Sequence, residues 1–489
     1  MKRHILQEYA RVFTTFALLV AWVGCAATED DKIPITTSSN EAKTYYLQGR
    51  SLSEKLLGQD ARQYFEQAVA KDPNFATAHL SLALVQPTAK GFFESLNKAV
   101  AAAGKVSEGE RWRILGFEAG VNANPLKARE YYQKLVQAYP KDERAHFILG
   151  NNFNNQQEYA QAVEHYKKAI EVARDFSPAY NSLGYAQRSL ENYTEAEEAF
   201  KKYTELIPND PNPHDSYAEL LMKMGRYDES IAEYQKALSI DPNFVASHVG
   251  IAANLMLKGK HDGARAQLAG CYDMARNDGE RRTALAAMTV TYVDEGNEDM
   301  AMTELKKQYE LGKKIDDAAA MAGDLISMGN VLYETGKHDE ALDRYKKAAR
   351  LIKDSNLSQE IKDNTELNQH YFVAAVAMKK KDFSTAKAES EEYRKGVEAL
   401  NNPNQIRRSH ELAGMIAIHE QNYENALEEL QQANLQNPYN LYRIAIAYEG
   451  KGDKEKAKEY CMKAAKYNTL PTLNYAFIRE KAEMLHGAL

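Results

Sequence analysis

Residues 109–142 read GERWRILGFEAGVNANPLKAREYYQKLVQAYPKD. Within them Gly116 precedes Ala128 by twelve positions, and the bulky Tyr132 follows that alanine by four. The same triplet returns at a constant step of 34 residues, as Gly150, Ala162 and Tyr166, then Gly184, Ala196 and Phe200, then Ala218, Ser230 and Tyr234, then Ala252, Ala264 and Leu268. A fixed period with small and bulky residues at set positions marks a helical repeat. The expected fold is therefore all-α.

The spacing puts the small residue and the alanine on two consecutive helices whose backbones nearly touch. A leucine at Ala162 should wedge them apart at a cost of about 1–3 kcal/mol. Loss of the Tyr166 ring should leave a cavity costing about 3–5 kcal/mol.

Residues 109–142 resemble the tetratricopeptide repeat, with Trp112, Leu115 and Gly116 on the first helix and Ala128, Tyr132 and Pro140 on and after the second. The frame also fits residues 42–75 through Gly49, Ala61, Phe65, Ala68 and Pro73, and it runs from 143 to 278 without an insertion. Looser copies centre on Ala301, Ala341, Ala386, Ala426 and Ala457, and residues 76–107 hold a degenerate one. The resemblance implies a right-handed superhelical solenoid whose core grows with repeat number rather than around one centre. Beyond residue 278 the step lengthens, which divides the chain into a regular array (41–278), an array of longer repeats (279–471) and a C-terminal capping helix (472–489).

The amino terminus reads differently. Lys2, Arg3 and Arg11 precede an apolar run at 12–23, too short to span a bilayer comfortably. Residues 1–24 are expected to be an export signal. The following Gly24-Cys25-Ala26-Ala27 resembles the bacterial lipoprotein signal, which implies lipidation of Cys25; ordinary cleavage after Ala27 is the alternative. Residues 25–40 are expected to be a flexible tether, with a capping box of Ser38 and Glu41 opening the first helix. The expected location is the periplasm or outer membrane, with membrane attachment through the lipid only.

The formal charge is −7, and the leader's three basic and one acidic residues leave −9 on the remainder. No basic stripe compensates, so nucleic acid is not an expected partner. Cys271 and Cys461 lie about five repeats apart, beyond disulfide reach, and are expected to be buried small hydrophobes. His79, His146, His214, His248, His370 and His410 recur at one frame position. One per repeat suits packing rather than a convergent metal site. No phosphate loop, HExxH helix, CxxC pair or GxSxG elbow occurs. No cofactor, metal or enzymatic activity is expected.

The resemblance places function on the concave face, lined by first-helix positions of each repeat. In the regular array these give Arg144, Phe147, Asn151, Asn154, Asn155, Asn181, Tyr185, Arg188, Asp215 and Glu219, an amide-rich surface. In the second array they give Ile326, Tyr333, Tyr371, Met378, Met415, Ile418, Tyr439, Tyr442 and Ile446, a face of Met and aromatic residues that suits an amphipathic helix or apolar peptide. Recognition of a terminal carboxylate by Arg144, Asn151, Asn181 and Arg188 is weighed against the missing lysines. The expected function is a scaffold that holds a protein segment or peptide in this groove. The alternatives are a sensory module for a small signal or peptide, and a glycan-handling accessory using Tyr371, Tyr439 and Tyr442.

Overall fold

The computed structural model describes residues 31–489; the leader, Cys25 and the start of the tether lie outside them. Among the described residues there are twenty-five α-helices and no strand. Twenty-four pair successively: α1 (Asn40–Ser53) with α2 (Gly58–Lys71), α3 (Ala76–Leu84) with α4 (Ala89–Ala102), α5 (Glu108–Val121) with α6 (Pro125–Ala138), α7 (Glu143–Asn155) with α8 (Tyr159–Val172), α9 (Ser177–Ser189) with α10 (Tyr193–Leu206), α11 (Pro211–Lys223) with α12 (Tyr227–Ile240), and α13 (Val245–Leu257) with α14 (His261–Met274). The series continues with α15 (Asp278–Asp294) and α16 (Glu298–Lys314), α17 (Ala318–Glu334) and α18 (His338–Asp354), α19 (Gln359–Lys379) and α20 (Phe383–Leu400), α21 (Pro403–His419) and α22 (Tyr423–Gln432), and α23 (Pro438–Gly450) and α24 (Lys454–Ala465). A last helix, α25 (Leu473–Ala488), follows. The extra residues past 278 lengthen helices, with α15 to α18 at 17 residues each and α19 at 21.

The small residue of the frame makes room for a ring rather than for the alanine. A Cβ on Gly116 would come within 2.4 Å of Tyr132, one on Gly150 within 2.7 Å of Tyr166, and one on Gly184 within 2.6 Å of Phe200. Gly329 and Tyr345 repeat the arrangement at 2.4 Å, so it survives in the longer repeats. The alanines Ala128, Ala162, Ala196 and Ala264 are buried in the seam, and Ser230 joins them by donating to the Ala218 carbonyl at 2.7 Å. Cys271 and Cys461 are buried thiols, both pushed up to about 11 by burial.

The solenoid coils far enough to stack on itself. Ser358 donates to Asn122 at 2.9 Å, Asn402 to the Ala123 carbonyl at 2.7 Å, and Arg407 to the Gln156 carbonyl at 2.7 Å. Further along, Gln157 donates to Asn434 at 2.8 Å and Lys223 to the Tyr467 carbonyl at 2.9 Å. Partners such as Asn122 and Ser358 are 236 residues apart, so the chain returns over itself after about seven 34-residue steps. Asn154 and Asn155 sit at the end of α7 facing this seam, where the Asn155 carbonyl accepts from Asn404 at 3.3 Å. The seam accounts for part of the amide richness in the sequence.

Residues 31–39 depart from the tether reading. They run as an extended strap past the end of α2 and the starts of α5 and α7, held by buried carboxylates. Asp72 accepts from Thr37 Oγ1 at 2.6 Å and the Ser38 amide at 2.8 Å, Glu110 accepts from the Thr36 amide at 2.9 Å, and Asp142 accepts from the Ile33 amide at 2.8 Å. Lys32 pairs with Glu143. The N-cap of α1 is Ser39 rather than Ser38, its side chain accepting from the Ala42 amide.

Helix α25 does more than cover the last repeat. It turns back across the second coil, where Arg479 grips Asp294 of α15 through two bonds of 2.7 and 2.5 Å, and Lys481 pairs with Glu334 of α17 at 2.9 Å. Tyr475, Phe477 and Ile478 enter the same apolar cluster as Val290, Leu325 and Met328. The second coil is thereby closed into a ring.

Candidate functional site

Two cavities lie inside the superhelix, one in each coil, and Asn404 lines both. The first has a volume of about 780 Å³ and draws together Arg144, Phe147, Asn151 and Asn181, with Asn152, Asn155 and Phe176. Their first helices α7 and α9 are adjacent, so residues 30 apart become neighbours. Leu56 and Leu84, both more than half exposed, supply an apolar rim.

Most polar groups in this groove already have partners. Arg144 makes a two-pronged pair with Glu54 at 2.7 and 3.0 Å, contacts Glu143, and lies 5.2 Å over the Phe176 ring. Asn151 accepts from the Tyr166 hydroxyl at 2.8 Å, and Asn152 donates to the Pro125 carbonyl at 3.0 Å. Two amide oxygens are exceptions: Gln156 Oε1, and the Oδ1 of Asn181, a residue 9% exposed, have no hydrogen-bond partner. An enclosed carbonyl oxygen left unpaired costs about 1–3 kcal/mol, a cost that a donor entering the groove would relieve.

Tyr185 and Arg188, expected in the same groove, form a separate buried cluster instead. Both bond the Glu219 carboxylate at 3.0 Å, and the Arg188 guanidinium stacks over the Tyr185 ring at 4.7 Å. Below them Asp215 accepts from Ser247 at 2.7 Å; burial, with the Glu219 charge adding to it, holds the Asp215 carboxyl far above the usual carboxylate range. With Arg144 committed to Glu54 and Arg188 to Glu219, neither guanidinium is free to clamp a terminal carboxylate.

The second cavity, about 320 Å³, gathers Ile326, Tyr333, Tyr371, Met415 and Tyr439 from four successive first helices, closed on one side by Asn474 and Phe477 of α25. The charged residues in its wall could not be singled out by frame position alone. Arg443 pairs with Glu411 at 3.0 Å and lies 4.1 Å over Tyr439. Glu411 also accepts from the Tyr371 hydroxyl at 2.9 Å and from Asn440 at 3.0 Å, and these donors with the nearby guanidinium hold it below the usual range against the cost of burial. Arg408 lies 3.7 Å over the Tyr371 ring and donates to Asn368 at 3.2 Å.

Met378 is a correction. It is 2% exposed and packs with Ala386, Tyr393 and Met415 in the core, about two turns of α19 beyond the Tyr371 that lines the cavity. Tyr442 also stands outside the cavity wall, packed in the cluster that receives α25 while its ring meets Tyr439 edge-on at 6.5 Å.

The recurring histidines fasten helices. His79, His146 and His248 each bond a proline carbonyl six residues back, at 2.9, 3.0 and 2.9 Å. His214, His370 and His410 each bond a glutamate nineteen residues on, at 2.8, 2.6 and 2.7 Å. One partner stitches a repeat to its predecessor and the other stitches its two helices together.

Tetratricopeptide-repeat models match residues 46–90, 118–178, 154–211 and 438–469, and a TPR-repeat model matches 218–259. No curated protein matches significantly. Among solved structures, the chain is similar to MamA (22% identity over 32% of this chain and 92% of that one, TM-score 0.28). It is also similar to YrrB, described as a TPR protein with an unusual peptide-binding site (21%, 37% and 91%, TM-score 0.26), and to MamA from Desulfovibrio magneticus RS-1 (16%, 34% and 95%, TM-score 0.30). No helix among the described residues is long and apolar enough to cross a membrane.

Proposed function

We propose that the protein is a non-enzymatic scaffold that holds an extended segment of a partner protein in the groove of the first coil. The observation that carries this reading is the enclosed, unpartnered Asn181 Oδ1 in a groove rimmed by exposed Leu56 and Leu84. A backbone N–H of an extended chain supplies the donor that Asn181 lacks, and apolar side chains of the segment cover the leucine rim. The export leader, lipidation at Cys25 and a place in the bacterial envelope belong to the same proposal, resting on residues 1–27 of the sequence.

Capture of partners from envelope extract tests the reading. Asn181→Ala should reduce recovery of the captured protein by about tenfold, one polar contact being worth about 1–1.5 kcal/mol. Recovery that is equal with the native and altered groove, or no specific partner with either, would sink it. Membrane fractionation of Cys25→Ser tests the anchor separately, the variant being expected in the soluble fraction.

A further inference from the structure

We propose that the cavity of the second coil is a site for a small hydroxylated carboxylic acid of the sugar-acid type, separate from the protein-binding groove. Its wall carries two carboxylates, Glu334 and Glu411, and two guanidiniums, Arg408 and Arg443. Glu411 is matched by Arg443 at 3.0 Å and Glu334 by Lys481 at 2.9 Å, whereas Arg408 has no carboxylate within ion-pairing distance among the described residues. Arg144, Arg188 and Arg443 on the concave surfaces are ion-paired, whereas Arg408 is not. A recessed guanidinium held flat against Tyr371 at 3.7 Å and Phe372 at 5.3 Å presents its edge to an incoming anion.

The rest of the wall fits the body of such an acid. The Tyr333 hydroxyl is enclosed and has no hydrogen-bond partner, so it is available to a ligand hydroxyl. Asn330, Asn434, Asn437 and Asn474 add amides at the wall. A volume of about 320 Å³ lies at the small end of ligand pockets and is closed by α25 on one side, which excludes a folded partner.

Isothermal titration of the full chain with glucuronate tests this, with glucose, inorganic phosphate and a short peptide bearing a free terminal carboxylate in parallel. Glucuronate should bind, and glucose, lacking the charge, should bind at least about tenfold more weakly. Arg408→Gln should weaken glucuronate about tenfold or more, with Arg408→Lys retaining part of the affinity. Tyr333→Phe deletes a hydroxyl that bonds nothing in the empty protein, so it should leave thermal stability unchanged and lower affinity severalfold. No heat with glucuronate, binding undiminished in both Arg408→Gln and Tyr333→Phe, or tighter binding of phosphate or the peptide would each overturn the proposal. The Asn181→Ala groove variant should bind glucuronate normally, which separates failure of this site from failure of the scaffold reading.

Discussion

At the scale of single residues, the repeat reduces to a glycine placed sixteen positions ahead of a ring. Gly150→Ala puts a Cβ 2.7 Å from the Tyr166 ring, which is wedged between helices and cannot retreat. The expected loss is about 1–3 kcal/mol by urea denaturation; a variant as stable as the native chain would contradict the packing account. Asp215 offers a second test. Its folded-state carboxyl, raised by burial, keeps a proton that the unfolded chain sheds near pH 4. Stability should therefore fall as pH climbs from about 4 toward about 8, the unfolded state binding fewer protons over that window. Asp215→Asn should flatten that decline, and chemical denaturation at pH 5 and pH 8 measures it; parallel slopes in the two proteins would count against the assignment. The sequence located both residues by frame position, but frame position carries no information on ion pairing. Arg188 and Arg408 look alike on a concave face, and only the fold places Glu219 in an ion pair with one and leaves the other without one.

At the scale of elements, the helices of residues 109–278 were legible because small residues and the bulky side chains that follow them recur every 34 residues. The strap and α25 were not, because neither repeats anything. Residues 31–39 read as a polar tether by composition, yet Asp72 at the end of α2 and Glu110 and Asp142 at the starts of α5 and α7 meet one extended chain at successive points. Met378 was misplaced for a different reason: it shares a helix face with Tyr371 but lies about two turns further along the 21-residue α19, where it packs with Ala386 and Tyr393 of α20. Helix α25 is tied to α15 by Arg479 and Asp294, both largely buried. Arg479→Gln leaves that carboxylate with His261, at 2.9 Å, as its remaining side-chain partner, and a loss of about 1–3 kcal/mol is expected. Hydrogen exchange should show the opening concentrated in α25 and α15; protection lost evenly across the molecule would argue against a closed second coil.

At the scale of the whole molecule, the seam between coils is made mainly of neutral amides and carbonyls, with Arg407 and Lys223 donating to backbone oxygens rather than to carboxylates. Such bonds contribute about 0.5–1.5 kcal/mol each and are not screened as ion pairs between exposed charges are. Small-angle scattering should give the same dimensions at low and high salt. The pair of changes Asn402→Ala and Arg407→Ala should lengthen the particle while leaving helix content intact, and an unchanged profile would mean that the coils are held by something else. The step of 34 residues predicts a superhelix, but whether its second turn touches the first depends on pitch, which accumulates over a dozen small rotations that no single repeat records.

The strap has a mechanical meaning. A force applied at residue 31 does not peel α1 from the end of the stack, because the segment is bonded in turn to Asp142, Glu110 and Asp72 before the first helix begins. Tension along it loads three repeats in shear, so several hydrogen bonds must break together before any helix is disturbed.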